Sequence, residues 1–532
     1  MADASVRSTL SPWRPLRAPI FRNLLIADVV SDVGTFMQSV GAAWLMLSLN
    51  AGPIYVALIQ TASALPFFIF ALPAGAIGDI VDRRRLILST ETWMLAVAIA
   101  VAVLTIMGWI SPLLLLILTF ALSAGDAFET PAWRAVLPEV VPKEDLPAAS
   151  ALNGIEFNLA RAVGPGLAGF IVAVAGVGAA FLLNAASFLG VIAVIARWKR
   201  LAPRRTAPPE TVWGGTIAGL RYVRYSPAIR RLLLRMGLVI FFATALTALL
   251  PLIARDVKNS PITFGILLGC FGFGAVVGAV LMQRARARWS AEIVVSVGVA
   301  IYGLATLAVS SVRVLPALCL TIFVGGSAWI LFVSIVNVLV LNYSPEWVRA
   351  RVLSISTLVV QGSVAAGSAA WGTVAAHFGL HAALLWAGAG TIATTALAFF
   401  LRLPDATVDV TAWNHWPLPD LDRDALPAGY DSGPVLVAVE YEVPSENVHE
   451  FLKAVRRYGR IRRRDGASRW GIFHDLEHAG RYVETFIVSS WAEHLRQHER
   501  STRADRELED QLQRYSHGSP RVRHLISVAT DE

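Results

Sequence analysis

The sequence predicts an all-α membrane protein of twelve transmembrane helices in two six-helix pseudo-repeats, followed by a small C-terminal α+β domain. Three observations predict it. Only 16% of the 532 residues are charged and the mean hydropathy is +0.57, where a soluble chain carries roughly 25% charged residues. Arginines and lysines concentrate in alternate links between apolar runs. Residues in the two halves of the apolar region recur at one fixed separation of 203 positions, as between Gly75 and Gly278 (278 − 75).

A helix needs about 20 apolar residues to cross the hydrocarbon core. Twelve runs qualify: 21–48, 54–77, 86–108, 112–133, 148–174 and 177–197, then 230–254, 262–283, 291–311, 314–341, 351–375 and 380–402. Pro66, Pro73 and Pro165 lie inside them, which membrane helices tolerate better than soluble ones. Arg7 to Arg22 precede the first run, Arg83–Arg85 follow the second, Arg134 and Lys143 the fourth, and a dense basic set from Arg197 to Arg231 the sixth. Arg284, Arg286 and Arg288 follow the eighth, and Arg349 and Arg351 the tenth. The intervening links hold only Arg255, Lys258 and Arg313. The positive-inside rule then places both termini in the cytoplasm of a multi-pass inner-membrane protein. The 203-residue register also pairs Arg83 with Arg286, Pro142 with Pro345, Gly164 with Gly367 and Gly169 with Gly372. The expected organisation is an N-terminal half at 1–198, a cytoplasmic linker at 199–229, a C-terminal half at 230–403, a Pro- and Asp-rich linker at 404–432 and an α+β domain at 433–532. Two parallel halves around a central site are the arrangement of a transporter.

In the tail, PVLVAVEYEV alternates as a strand and SENVHEFLKAVRRYGRI carries a cap and a helical period. ASRWGIFHD, RYVETFIVSS and RVRHLISV read as strands, and the stretch from Trp491 to Tyr515 as a helix broken near Ser501. This is a split βαβ, ferredoxin-like pattern.

The link from Gly75 to Arg85 reads G-x-x-x-D-x-x-D-R-R-R. It resembles the cytoplasmic signature of the major facilitator superfamily. FRNLLIADVVSDVGTFMQSVGAAWLMLSL and PAWRAVLPEVVPKEDLPAASALNGIEFNLARAVGPGLAG (131–169) resemble the branch containing enterobactin exporters and transmembrane secretion effectors. SSWAEHLRQHERSTRADREL (489–508) resembles a C-terminal domain fused to some members, and the tail pattern is similar to the dimeric α/β-barrel domains of the antibiotic-biosynthesis monooxygenase group. The chain departs from the superfamily pattern at Ile80, where a basic residue is common, and at Asp82, where a glycine is. The resemblance implies a cytoplasmic gate of Gly75, Asp79, Asp82, Arg83, Arg84 and Arg134. Asp79 would face the second half, near the positive helix end at Arg351, with Arg134 as its ion-pair partner.

Ionisable groups inside a membrane are costly and mark function. Asp28 and Asp32 are four apart on one helix face, with Asp32 about 16 Å into the membrane. Asp126 and Glu129 lie on the fourth run, and Glu156, Asn158 and Arg161 on the fifth. Arg161 is expected to pair with Asp32, leaving Asp28 or Glu129 to carry a proton. GPGLAG (164–169) resembles the antiporter signature of proton-coupled exporters, with Ala168 in place of a glycine, and makes Gly164, Pro165 and Gly169 helix-packing residues. Phe36, Gln38, Trp44, Asn158, Asn337 and Gln361 are candidate cavity residues.

The expected function is proton-coupled export of a small molecule, a siderophore or an amphipathic drug. The rivals are import, or an enzyme or sensor acting through the tail. Partners are membrane lipid and cargo, with a homodimer through the tail. No cofactor beyond the proton gradient is expected. The charges sit in links and in the tail rather than on one amphipathic face, which argues against nucleic acid. His494 and His498 read as a solvated helix face rather than a metal site, as do His474 and His478. Cys270 and Cys319 have no metal or disulfide spacing. No phosphate-binding loop or nucleophile constellation is present, so neither an ATP-driven pump nor an enzyme is expected.

Overall fold

The computed structural model describes residues 11–199, 212–403, 409–413 and 433–527. It divides into two compact units. The first comprises 1–207, 235–335 and 357–402, the second 208–234, 336–356 and 403–532.

Most of the first unit is long helix: α1 (Pro19–Ser48), α2 (Gly52–Ile80), α3 (Arg83–Ile106), α4 (Pro112–Val140), α5 (Leu146–Ala175) and α6 (Val177–Arg197). The chain continues through α7 (Val212–Tyr225), α8 (Pro227–Lys258), α9 (Pro261–Arg288), α10 (Ala291–Ser311), α11 (Leu315–Asn342), α12 (Glu346–Ala393) and the short α13 (Leu397–Phe400). Helix starts follow local chemistry. Asp82 caps α3 by accepting from the Arg85 amide at 3.0 Å, and Ser111 caps α4 ahead of Pro112. Among the described residues, eleven helical stretches are long and apolar enough to cross a membrane. The last, Glu346–Phe400, has 55 residues and leaves helical geometry at Gly379 (φ 86°, ψ 159°). Val174, Val280, Leu304 and Leu320 are more than half exposed on the flanks of their helices, as lipid-facing residues are. The basic link expected over 199–229 is not a plain linker. Residues 200–211 lie outside the described residues, but α7 is a helix because Ala218 and Tyr222, one turn apart, are both buried, and α8 begins at Pro227.

Small residues set the closest helix approaches. Gly164 of α5 accommodates Phe36 and the Val33 carbonyl of α1, and Gly367 of α12 lies against the Phe241 carbonyl of α8. Gly169 of α5 meets Pro261 and Gly265 of α9, and Gly372 of α12 meets Ile54 and Ala57 of α2. A side chain at any of the four would collide with neighbouring backbone or core. Gly75 has open space around it, so close packing does not require it here. Cys270 and Cys319 are free thiols that touch between α9 and α11.

The second unit contains β1 (Val435–Glu442), α14 (Val448–Asp465), β2 (Ser468–His474), β3 (Arg481–Val488), α15 (Trp491–Glu499), α16 (Arg503–Arg514) and β4 (His517–Ile526). The antiparallel sheet has the order β2-β3-β1-β4, the split βαβ arrangement. Val437, Phe451, Val455, Phe486 and Leu512 form its core. The break between α15 and α16 comes from a capping box in which Thr502 and Asp505 satisfy each other's backbone amides. The domain packs on α7 through buried charge. Arg221 reaches Glu493 at 3.2 Å, and Arg500 reaches the same carboxylate at 2.6 Å. Arg464 is held by Asp465 and Asp505, each at 2.7 Å, and lies 5.5 Å over the Tyr222 ring.

Candidate functional site

The site lies in the first unit, on helices that carry charge where their neighbours are apolar. Residues Thr35, Gln38 and Ser39 of α1, Gln60 and Ser63 of α2, Ser123 and Asp126 of α4 and Gln361 of α12 line a cavity of about 350 Å³. Apolar wall is supplied by Ile59, Ala64 and Phe67. Polar side chains set beside an apolar wall suit a small-molecule site. Gln38 accepts from Asn184 at 3.4 Å, and Gln60 meets Thr247 of α8 at 3.3 Å. Asp126 is exposed to this space, with the Thr130 hydroxyl, at 3.4 Å, donating to it.

Behind Asp126 the carboxyl groups gather. Glu129, one turn along α4, is buried and accepts from Thr90 at 2.7 Å. It also touches Glu91 of α3, itself buried. Asp32 of α1 touches Glu156 of α5, and Asp28 lies beside Trp133. One carboxylate oxygen of Glu91 and one of Glu156 are buried without a partner. These six carboxyls feel one another's charge. None makes an ion pair among the described residues. Arg161 does not pair with Asp32 as expected; it donates to Asn158 at 2.8 Å. Asn158, three residues away on the same helix face, captures the guanidinium locally, so Asp32 is left to Glu156.

Gln38, Gln361 and Asp126 are thus brought together, with Asp28, Asp32, Glu129 and Glu156 alongside. Phe36 packs on Phe157 at 5.8 Å, outside the cavity lining. Trp44 is buried in the core and Asn337 is exposed in the second unit. Glu91 was missed, although it is the one charge in the apolar body of α3. Arg235 was missed too. It is buried on α8 and pairs with Glu292 at 2.5 Å and Ser296 at 3.0 Å. In the sequence it stands inside the seventh run, 230–254, one turn past the basic set that ends at Arg231.

At the link after α2, Arg83 binds Glu139 at 2.6 Å, and Arg84 donates to the terminal carbonyls of Ile195 and Ala196 on α6. Asp82 serves as the α3 cap. Arg134 is exposed and makes no ion pair among the described residues. The side chain of Asp79 lies outside the described residues.

In the tail, His494 is not solvated as expected. It is 2% exposed, because α15 packs it against Trp491 and His524. Burial, with His498 and His524 beside it, lowers its pKa to about 3. His494 and His498 approach through their Nε2 atoms at 3.1 Å. Asp475, Glu477 and His478 form an exposed cluster of metal-ligating types on the β2–β3 turn.

The sequence profile of the family described as "Transmembrane secretion effector" matches residues 10–532. The chain belongs to that family. It is 26% identical over 380 residues to the multidrug efflux pump Tap of Mycolicibacterium fortuitum, covering 68% of this chain and 90% of the relative. It is 23% identical over 380 residues to the staphyloferrin A transporter of Staphylococcus aureus, covering 70% and 93%. Among solved structures, a point mutant of the nucleoside transporter NupG aligns with a TM-score of 0.60 at 11% identity, covering 72% of this chain and 100% of that one. An inward-facing bacterial homologue of the human lysosomal transporter Spinster aligns at 0.58 and 14%, covering 73% and 95%. The structural likeness shows the transporter fold. The family and its relatives are membrane transporters, not enzymes, and the relatives include efflux pumps for small molecules.

Proposed function

We propose that this chain is a proton-coupled exporter of small amphipathic cations, working by alternating access in the plasma membrane with both termini cytoplasmic. One observation carries the reading: Asp126 opens onto the cavity, backed by five more carboxyl groups, with no ion pair to any of them among the described residues. Two touching carboxylates repel strongly in low dielectric, and a proton between them relieves this. Glu91 with Glu129 and Asp32 with Glu156 therefore form natural proton stores. A cation entering beside Asp126 favours the charged state and displaces protons, which is exchange.

The contacts favour two six-helix halves. Gly164 and Gly367, 203 apart, pack α5 on α1 and α12 on α8, while Gly169 and Gly372 join each half to the other. The 55-residue stretch broken at Gly379 then counts as two spans, making twelve. The contacts at Gly169 and Gly372 adjoin the links 49–51 and 259–260, which the positive-inside rule puts outside, in keeping with an inward-facing state. Asp79 remains the proposed latch: Asp79→Asn leaves expression intact and stops transport. The sheet face away from the helices carries Leu436, Ile487 and Leu525 in one cross-strand row, which fits a homodimer through the tail.

A siderophore cargo is the second reading, favoured by the staphyloferrin A transporter relative. Everted vesicles separate the readings. With an acid lumen, a lipophilic phosphonium cation should accumulate inside. Accumulation of an anionic siderophore alone favours the second reading, and cargo leaving the vesicles with the protons indicates import.

A further inference from the structure

The tail carries a surface that transport does not use. Along α14, Lys453, Arg456, Arg457, Arg460 and Arg463 follow one another at spacings of three, one, three and three residues, which places them on one helix face. With His449 and Trp470 they line an open groove of about 830 Å³. The expectation that no basic residues share an amphipathic face is therefore corrected. The opposite face of α14 buries Phe451, Ala454, Val455 and Tyr458, and that alternation forces the cations together. Arg462 and Arg464 turn inward, where Glu484, Asp465 and Asp505 neutralise them. On the outer stripe, Arg456, Arg457 and Arg460 are exposed and make no ion pair among the described residues. Lys453 has Glu450 at 3.8 Å, and Arg463 lies 5.1 Å over the Trp470 ring.

We propose that this stripe docks on the anionic phospholipid headgroups of the membrane in which the chain sits. Charge complementarity supplies the attraction. The chain itself holds the domain close to lipid. The domain packs on α7, which ends at Tyr225, two residues before the spanning helix α8 begins at Pro227. A second connection of 31 residues (435 − 403 − 1) joins Leu403 to Val435. Tethering raises the effective concentration of membrane at the stripe without any further contact. The inference goes beyond the transport reading and holds for any cargo.

Lys453 is a native reporter, since its side chain is 57% exposed. The full-length protein is placed in nanodiscs of phosphatidylglycerol or of phosphatidylcholine and treated with a water-soluble acetylating reagent, and acetylation at Lys453 is read by mass spectrometry. Labelling should fall about fivefold in the anionic discs. It should recover in 0.5 M salt, roughly where the screening length drops to a few Å. Arg456→Glu/Arg460→Glu should abolish the protection, while Arg514→Glu/Arg521→Glu, an equal charge change elsewhere on the domain, should keep it. Equal labelling in the two lipids overturns the proposal. So does protection in phosphatidylcholine discs by inorganic phosphate at matched ionic strength, or by RNA, either of which assigns the stripe to a soluble ligand.

Discussion

Two regions of this protein bury charge, and they do so in opposite ways. In the second unit the deeply buried acids that pack the tail have arginines: Glu493 has Arg221 and Arg500, Asp465 and Asp505 share Arg464, and Glu484 faces Arg462. In the N-terminal half of the bundle, six carboxyls gather, with Glu91, Glu129 and Glu156 buried, and none makes an ion pair among the described residues. The C-terminal half sides with the tail, since its buried Arg235 has Glu292. A compensated buried charge is a structural fixture, and removing one partner leaves the other stranded. Uncompensated groups are expensive to keep and persist where function requires them. Burial alone therefore does not separate the two; the presence of a counter-charge does.

The sharpest way to break the comparison is to neutralise one acid of each kind. Glu129→Gln should reduce proton-driven transport to the level of vesicles lacking the protein, with thermal stability unchanged or raised, because no partner is stranded. Glu493→Ala should do the reverse. It strands Arg500 and frees Arg221, costing about 3–5 kcal/mol of local stability, read as faster hydrogen exchange in α7 and α15. If Glu129→Gln destabilised the fold while transport persisted, the carboxyl cluster would be structural.

A smaller effect sharpens the tail side. The folded-state pKa of His494 is lowered to about 3 by burial and its histidine neighbours, below its usual 6.5. Between those values the unfolded chain binds a proton that the folded chain refuses, so stability rises with pH there. The contribution is complete above about 6.5 and is lost as pH falls toward 3. His494→Phe should flatten the pH dependence of exchange protection in α15 and β4 over that window. An unchanged slope would show that His494 does not set it.

Much of this was legible in the sequence. Asp28, Asp32, Asp126 and Glu129 stand out because a charge in an apolar run is conspicuous at any helix rotation. What the sequence did not disclose is who meets whom. Arg161 has the right depth for Asp32, but its rotamer is claimed by Asn158 on its own helix. Glu91 becomes significant only when α3 packs against α4 and sets it beside Glu129. Arg235 is hidden by the basic link that precedes it, and His494 by the charged residues around it. In the tail the strand and helix order was readable because alternation and caps are local, as at Thr502 and Asp505. The docking of that domain on α7 was not, because it depends on Arg221 finding Glu493, 272 residues further along the chain.

The most direct test of the central claim is proton release on cargo binding. Purified protein in weakly buffered detergent is titrated with a lipophilic phosphonium cation while the pH is followed. The account predicts release of about one proton for each cation bound, lost in Asp126→Asn and in Glu129→Gln. Binding of the cation by the unaltered protein with no change in pH would contradict it.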